Sequence, residues 1–333
     1  MLEIGIVMGT SNTAIYMPGD GIVLFEPTAI SFSGDSATGR VKAVGKDASE
    51  MRGRVPERTS VVFPIKDGII IDKRACQLML KTFLNKLFRL NAVKKVKAVV
   101  GVPIGITIEQ RKAFEDVCFE AGITECILVE NIILSAIGID LPVHSHRGCF
   151  VINIGGGMTE IAAISLSGIV SGVGINVGGD MLDASISDKV LGITNLKCGI
   201  TTIKKLKDNL SSLYSNDISE DIISGIDIST GAPSSTYVTA NEITETILPY
   251  YLRVADAASI VIKGLKPELC AEMTADGIHV VGGSSKVAGL DKLISSRLNI
   301  PVSVYPNGIY ANIVGCGKLL SSPLLMKDLL MQK

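Results

Sequence analysis

The 333-residue chain is 47% hydrophobic, enough to fill two ordinary domain cores or one large doubly wound unit, and this excludes a disordered protein. Lys and Arg number 32 against 33 Asp and Glu, a formal net charge of -1, so no global basic field draws the molecule to nucleic acid. The 7 cysteines are scattered, odd in number and form no C-x-x-C pair, which points to reduced thiols in a cytosolic protein and away from a disulfide or zinc framework.

The chain opens on a strand pattern, Leu2 to Met8, leaving no room for a secretory signal. No apolar run approaches the ~20 residues of a spanning helix, since Val61 to Ile71 is broken by Pro64, Lys66 and Asp67. After the Gly9 to Thr13 turn come strands over 14–17 and 22–29, joined by Pro18-Gly19-Asp20-Gly21. Residues 33–65 are rich in Gly, Ser and Arg and read as an insertion. Asp72 then caps a helix running to about Phe88.

Lys97 to Val102 is a buried strand ended by Pro103, Thr107 with Gln110 forms a capping box, and Ile127 to Glu130 is a further strand with Glu130 as a structural cap. At Cys149 the opening pattern repeats: strand 150–154, turn Gly155-Gly156-Gly157, strand 159–166, turn Ser167-Gly168, strand 169–175. This duplication predicts two related lobes. A second insertion, 182–245, holds a Lys-rich helix near 201–214, a hairpin over 225–239, and the Thr239/Glu242 capping box of a helix to about Lys263. Strand 277–281, the turn Gly282-Gly283-Ser284-Ser285 and a helix from about Leu290 follow, then a last helix over about 310–320 and an apolar tail that packs back on the first lobe.

A Gly-rich turn between strands exposes several backbone N–H groups on one side, a concave nest for phosphate oxygens. Three such turns, at 9–13, 155–157 and 282–285, point to phosphate binding.

Together with Gly21-Ile22-Val23-Leu24-Phe25-Glu26-Pro27, Pro64-Ile65-Lys66-Asp67-Gly68, Val102 to Thr107, Asn153 to Glu160, Gly178-Gly179-Asp180 and Gly282 to Asp291, these turns resemble the MreB family of bacterial actin homologues over nearly the whole chain. That superfamily also holds actin and the seventy-kilodalton heat-shock chaperones. The resemblance implies an α/β, actin-like two-lobed fold with a nucleotide cleft between lobes: 1–145 plus 310–333 as lobe I and 146–309 as lobe II. It implies a cell-shape cytoskeletal protein that polymerises with itself or with an active paralogue on the inner face of the cell membrane. It also implies that Ser11, Asn12 and Thr13 contact the phosphates of ATP or ADP from one side and Gly155, Gly156 and Gly157 from the other. Gly282, Gly283 and Ser284 would line the adenosine side, and Lys207 keeps the family's lysine.

Four positions depart from the family pattern. Val7 and Asn153 stand where Asp residues organise hydrated Mg²⁺, Asn131 where a Glu orients the attacking water, and Met158 where a Thr assists it. Ile200, Lys204 and Asn209 occupy a segment where the family is rich in Glu. These changes predict no Mg²⁺ ligand set and a weak or absent ATPase. An ordinary ATP-hydrolysing member, or a chaperone-like or kinase-like relative, are the alternatives; the length disfavours the first of these relatives and the lack of a positioned base the second. Removing a carboxylate ~5 Å from a polyphosphate relieves about 3 kcal/mol of repulsion at an effective dielectric of roughly 20, so metal-free nucleotide binding stays open.

His144, His146 and Cys149 lack a second ligand pair at zinc spacing and read as a solvated linker. Leu87, Phe88 and Leu90 lie beside Arg89, Lys94, Lys95 and Lys97, a composition that suits a membrane surface and equally a helix C-terminus with its leucines in the core.

Overall fold

A computed structural model describes residues 2–88, 95–214 and 217–331. Leu2–Met8 pairs antiparallel with Asn12–Met17, which pairs with Gly21–Pro27; on its other side it runs parallel to Val96–Val102, and that strand parallel to Glu125–Glu130. In the second sheet Cys149–Ile154 takes the place of Leu2–Met8. It pairs antiparallel with Thr159–Ser165, followed by Gly168–Ile175, and parallel with Ile278–Val281, followed by Val302–Val304. The duplicated strand, Gly turn and strand are therefore one five-stranded topology built twice.

Two smaller antiparallel sheets overlap the stretches read as insertions. One joins Ile30–Ser33 to Arg40–Val44 and Thr59–Val62, the other Glu220–Asp227 to Leu196–Lys197 and Pro233–Thr239. The second hairpin starts earlier than expected. Its turn is held by Asp227 Oδ1, which accepts from the N–H groups of Ser229 (2.8 Å) and Thr230 (3.3 Å).

Helix starts follow the caps read from the sequence. Asp72 Oδ1 accepts from Ala75 N–H at 2.9 Å to open Lys73–Leu87, and full capping boxes open Ile108–Glu120 and Ala240–Lys263. The Lys-rich helix is Ile200–Leu210 and stops short of 214. Ser211 is extended, Ser212 bridges to Ala288, and the Ser212 carbonyl accepts from Thr244 Oγ1 at 2.7 Å, so the chain is drawn off the helix axis. Glu130 precedes the Asn131–Gly138 helix but makes no side-chain cap; its carboxylate pairs instead with Arg111 at 2.6 Å.

Each sheet covers its own apolar core, and a third cluster joins them, drawing Val7, Ala14 and Val99 from the first sheet and Val151, Ala162 and Val281 from the second. Helices Asn131–Gly138 and Ala311–Leu320 lie in this third cluster and cross at glycines. A Cβ on Gly138 would overlap the Ala311 carbonyl oxygen, and one on Gly315 the Leu134 carbonyl oxygen. Ser135 Oγ bonds Asn312 Oδ1, and Lys318 Nζ reaches Gly138 O at 2.8 Å and Asp140 at 2.7 Å.

Leu87 and Phe88 are half-buried against the first core, the helix-end alternative; Leu90, Arg89 and Lys94 lie outside the described residues. His144 and His146 are exposed, whereas Cys149 is buried in its strand with a thiol pushed up to about 12 by desolvation, so the three do not meet as ligands. Among the described residues no group of three His, Cys, Asp or Glu side chains could hold a metal ion. The tail forms the helix Pro323–Met331, which buries Leu329 in the third cluster. No single helix among the described residues is long and apolar enough to cross a membrane.

The glycine crossing gives a direct test. Gly315→Ala forces two backbones apart and lowers stability by about 1–3 kcal/mol in urea unfolding. Gly192→Ala, in the Gly179–Thr194 helix with nothing within 4 Å of the added methyl, stabilises by up to about 1 kcal/mol.

Candidate functional site

The two hairpin turns close in the same way: Gly9 N–H donates to Asn12 O and Gly155 N–H to Met158 O, both at 2.9 Å. They also touch. A Cβ on Gly156 would overlap the Ser11 side chain, and one on Gly157 would meet Thr10 and the Asp67 nitrogen, so glycine is required for the turns to meet. The third turn begins at Gly282, whose φ of 98° favours glycine, and Ser284 Oγ donates to Gly155 O at 3.0 Å. The Gly179–Thr194 helix is tied in as well, with Gly179 N–H on Gly155 O (3.1 Å) and Asp180 N–H on Gly156 O (2.7 Å).

These turns line a cleft of about 650 Å³, within the roughly 300–1,000 Å³ of small-molecule sites. Ser11, Asn12, Gly155, Gly156, Lys207, Gly282, Gly283 and Ser284 all face it. Thr13 and Gly157 do not. Thr13 is fully buried with its hydroxyl 2.9 Å from Thr28 Oγ1, which donates to Gly9 O at 2.7 Å, so Thr13 buttresses the turn from behind. Gly157 is covered by Thr10 and Asp67. Thr10, Asp180, Asp183 and Lys286, none of them expected as a ligand contact, also line the cleft. Thr10 was legible inside the first turn, and Asp183 lies one helical turn beyond Asp180.

Charge is arranged around Asp183, which is 3% exposed. Lys207 Nζ lies 2.6 Å from Asp183 Oδ1 and 3.4 Å from Gly179 O, while Lys204 Nζ stands 3.9 Å from Asp183 Oδ2. Burial raises the Asp180 carboxyl above its ordinary range, opposed in part by the Lys204 charge.

Of the four departing positions, Val7 and Asn153 line the cleft. Asn131 is buried beside Gly101, its Oδ1 without a hydrogen-bond partner, and the Val7 side chain borders the same Gly101. Met158 packs over Gly68 and Gly174, beside Pro103. Asn153 is diverted: its Nδ2 donates to Glu160 Oε2 at 3.1 Å, while Glu160 Oε1 accepts from Ile104 N–H at 2.8 Å. Glu160 thus ties the second sheet to the loop that ends Val96–Val102. Its signal in the sequence is a lone carboxylate in an otherwise uncharged strand, Thr159–Ser165.

The sequence pattern of the family described as MreB/Mbl protein matches residues 1–328. The chain belongs to the MreB/Mbl family. It is 33% identical to the cell shape-determining protein MreB of Escherichia coli strain K12 over 322 residues, covering 96% of this chain and 93% of that protein. It is also 33% identical to the cell shape-determining protein Mbl of Bacillus cereus over 321 residues, covering 96% of each. The crystal structure of MreB5 of Spiroplasma citri bound to ADP superposes with a TM-score of 0.90 at 27% identity, covering 99% of this chain and 98% of that one, and its AMPPNP complex matches equally. The fold is actin-like.

The residues present fit a nucleotide, because three glycine turns with no intruding Cβ face one cleft of the right volume. They do not fit the Mg²⁺ that the family resemblance implies. Val7 offers no oxygen, Asn153 only a neutral amide oxygen in place of a carboxylate, and Asp183 is paired with Lys207.

Glu160 makes a pH prediction. Burial raises its carboxyl to about 7 from an ordinary 4.5, with the Glu130 charge adding to the rise and the bonds from Ile104 and Asn153 opposing it. A folded-state value above the unfolded one means the folded chain keeps the proton longer, so this contribution is complete below 4.5 and lost as pH rises through about 7. Unfolding free energy measured in urea falls by up to about 3 kcal/mol from this group between those limits, and Glu160→Gln removes that part of the slope.

Proposed function

We propose that this chain is a nucleotide-binding cytoskeletal subunit that assembles into cell-shape filaments at the inner face of the cell membrane and hydrolyses ATP slowly or not at all. The observation that carries the reading is the pair of glycine turns closed over the cleft, kept intact while positions 7, 131, 153 and 158 carry no ionisable group. Water attack on a phosphate needs a group that orients the water and a charge that stabilises the transition state. An Asn amide cannot act as a base, and a Met thioether is a weak acceptor.

Support for assembly and nucleotide binding comes from the relatives, which are named for determining cell shape and, in MreB5, hold ADP or AMPPNP. In this reading residues 1–145 with 310–333 and residues 146–309 act as two lobes joined at the Asn131–Gly138 and Ala311–Leu320 crossing. Polymerisation partners are further copies or an active paralogue.

The test is phosphate release and high-speed sedimentation of purified protein with Mg-ATP, with pellets inspected by negative-stain microscopy. Filaments form with little phosphate release. Val7→Asp, Asn131→Glu, Asn153→Asp and Met158→Thr combined raise release by about a hundredfold, the lower end of what a positioned acid–base group contributes. Brisk Mg²⁺-dependent release by the unaltered protein would overturn the slow-hydrolysis reading, and absence of any polymer would overturn the filament reading.

A further inference from the structure

The disagreement between the cleft and a divalent cation has a counterpart in the lysines that line the same cleft. We propose that the nucleotide is held without a divalent metal, its phosphate charge taken by the ammonium groups of Lys204 and Lys286 together with the N–H groups of the glycine turns. This deepens the nucleotide reading above and rests on it.

Three observations carry the proposal. Lys204 and Lys207 are three residues apart on the Ile200–Leu210 helix, so both project from one face, and both line the cleft. They share a single buried counter-ion, Asp183, unequally: Lys207 is 2.6 Å away with its side chain 18% exposed, Lys204 is 3.9 Å away and 49% exposed. Lys207 alone neutralises the carboxylate at contact distance, so Lys204 is free to turn to an anion without leaving a bare buried charge. The third observation is Lys286, exposed at the cleft directly after the Gly282–Ser285 turn.

Exchanging carboxylates for Val7 and Asn153, and placing Lys204 in a segment that is Glu-rich in the resembled pattern, all move the cleft's charge in one direction. A metal neutralises phosphate through carboxylates that anchor it; here positions 7 and 153 are uncharged, and of the carboxylates that do line the cleft, Asp180, Asp183 and Asp208, the buried Asp183 is already taken by Lys207, leaving Lys204 and Lys286 for an anion. Lysine suits that task as a compact point charge.

The experiment is fluorescence anisotropy of a fluorescently labelled ATP on the purified full chain, once in excess Mg²⁺ and once in excess EDTA. The expected dissociation constants agree within about threefold, whereas Lys204→Glu, with an unchanged circular dichroism spectrum, weakens binding in EDTA by about tenfold or more. Val7→Asp with Asn153→Asp makes binding Mg²⁺-dependent. Binding seen only with Mg²⁺ overturns the proposal and leaves the nucleotide reading standing. No binding under either condition overturns both, and an unchanged affinity in Lys204→Glu overturns the role given to the lysines.

Discussion

The close crossing of the Asn131–Gly138 and Ala311–Leu320 helices is the contact on which the rest of the molecule depends. Two backbones approach there without side chains between them, which only Gly138 and Gly315 permit. Apolar residues from both sheets converge on that crossing in one cluster, so the sheets are held at a set distance and angle. Close packing is stiff, and the setting is passed on to the hairpin turns at the sheet ends, which meet at Ser11 against Gly156.

Within that setting the site shows two kinds of residue. The glycines, the Thr13–Thr28–Gly9 buttress and the anchoring of Gly179 and Asp180 preserve shape. The side chains at positions 7, 131, 153 and 158 serve packing or internal bonding. Val7 and Asn131 border Gly101 together, Met158 fills the space over Gly68, and Asn153 spends its amide on Glu160. The Asn153–Glu160–Ile104 chain of hydrogen bonds gives Asn153 a structural use, linking the second sheet to the loop that ends Val96–Val102.

The readable parts of the fold were those written in local physics. Hairpin turns, β-branched strands and three side-chain caps each depend on a few neighbouring residues, and the structure placed them within a few positions of expectation. Departures arose where distant contacts overrule local preference. Ser212 is drawn from its helix toward Ala288, and Glu130 is drawn from its cap toward Arg111. The same division holds at the cleft. Its glycines could be named from their spacing, but Thr13 turning inward and the reach of Glu160 to Ile104 depend on neighbours 15 and 56 residues away.

By itself the sequence determined the duplicated architecture, the three glycine turns, and the absence of carboxylates at positions 7 and 153, because each is a matter of residue type and short-range spacing. Only the tertiary structure decided which of those residues face the cleft, that Lys204 and Lys207 divide one buried carboxylate between them, and that Asn153 is bound to Glu160. Those facts follow from how two sheets are set across a glycine crossing, and burial and pairing across such a distance have no signature in any short stretch of chain.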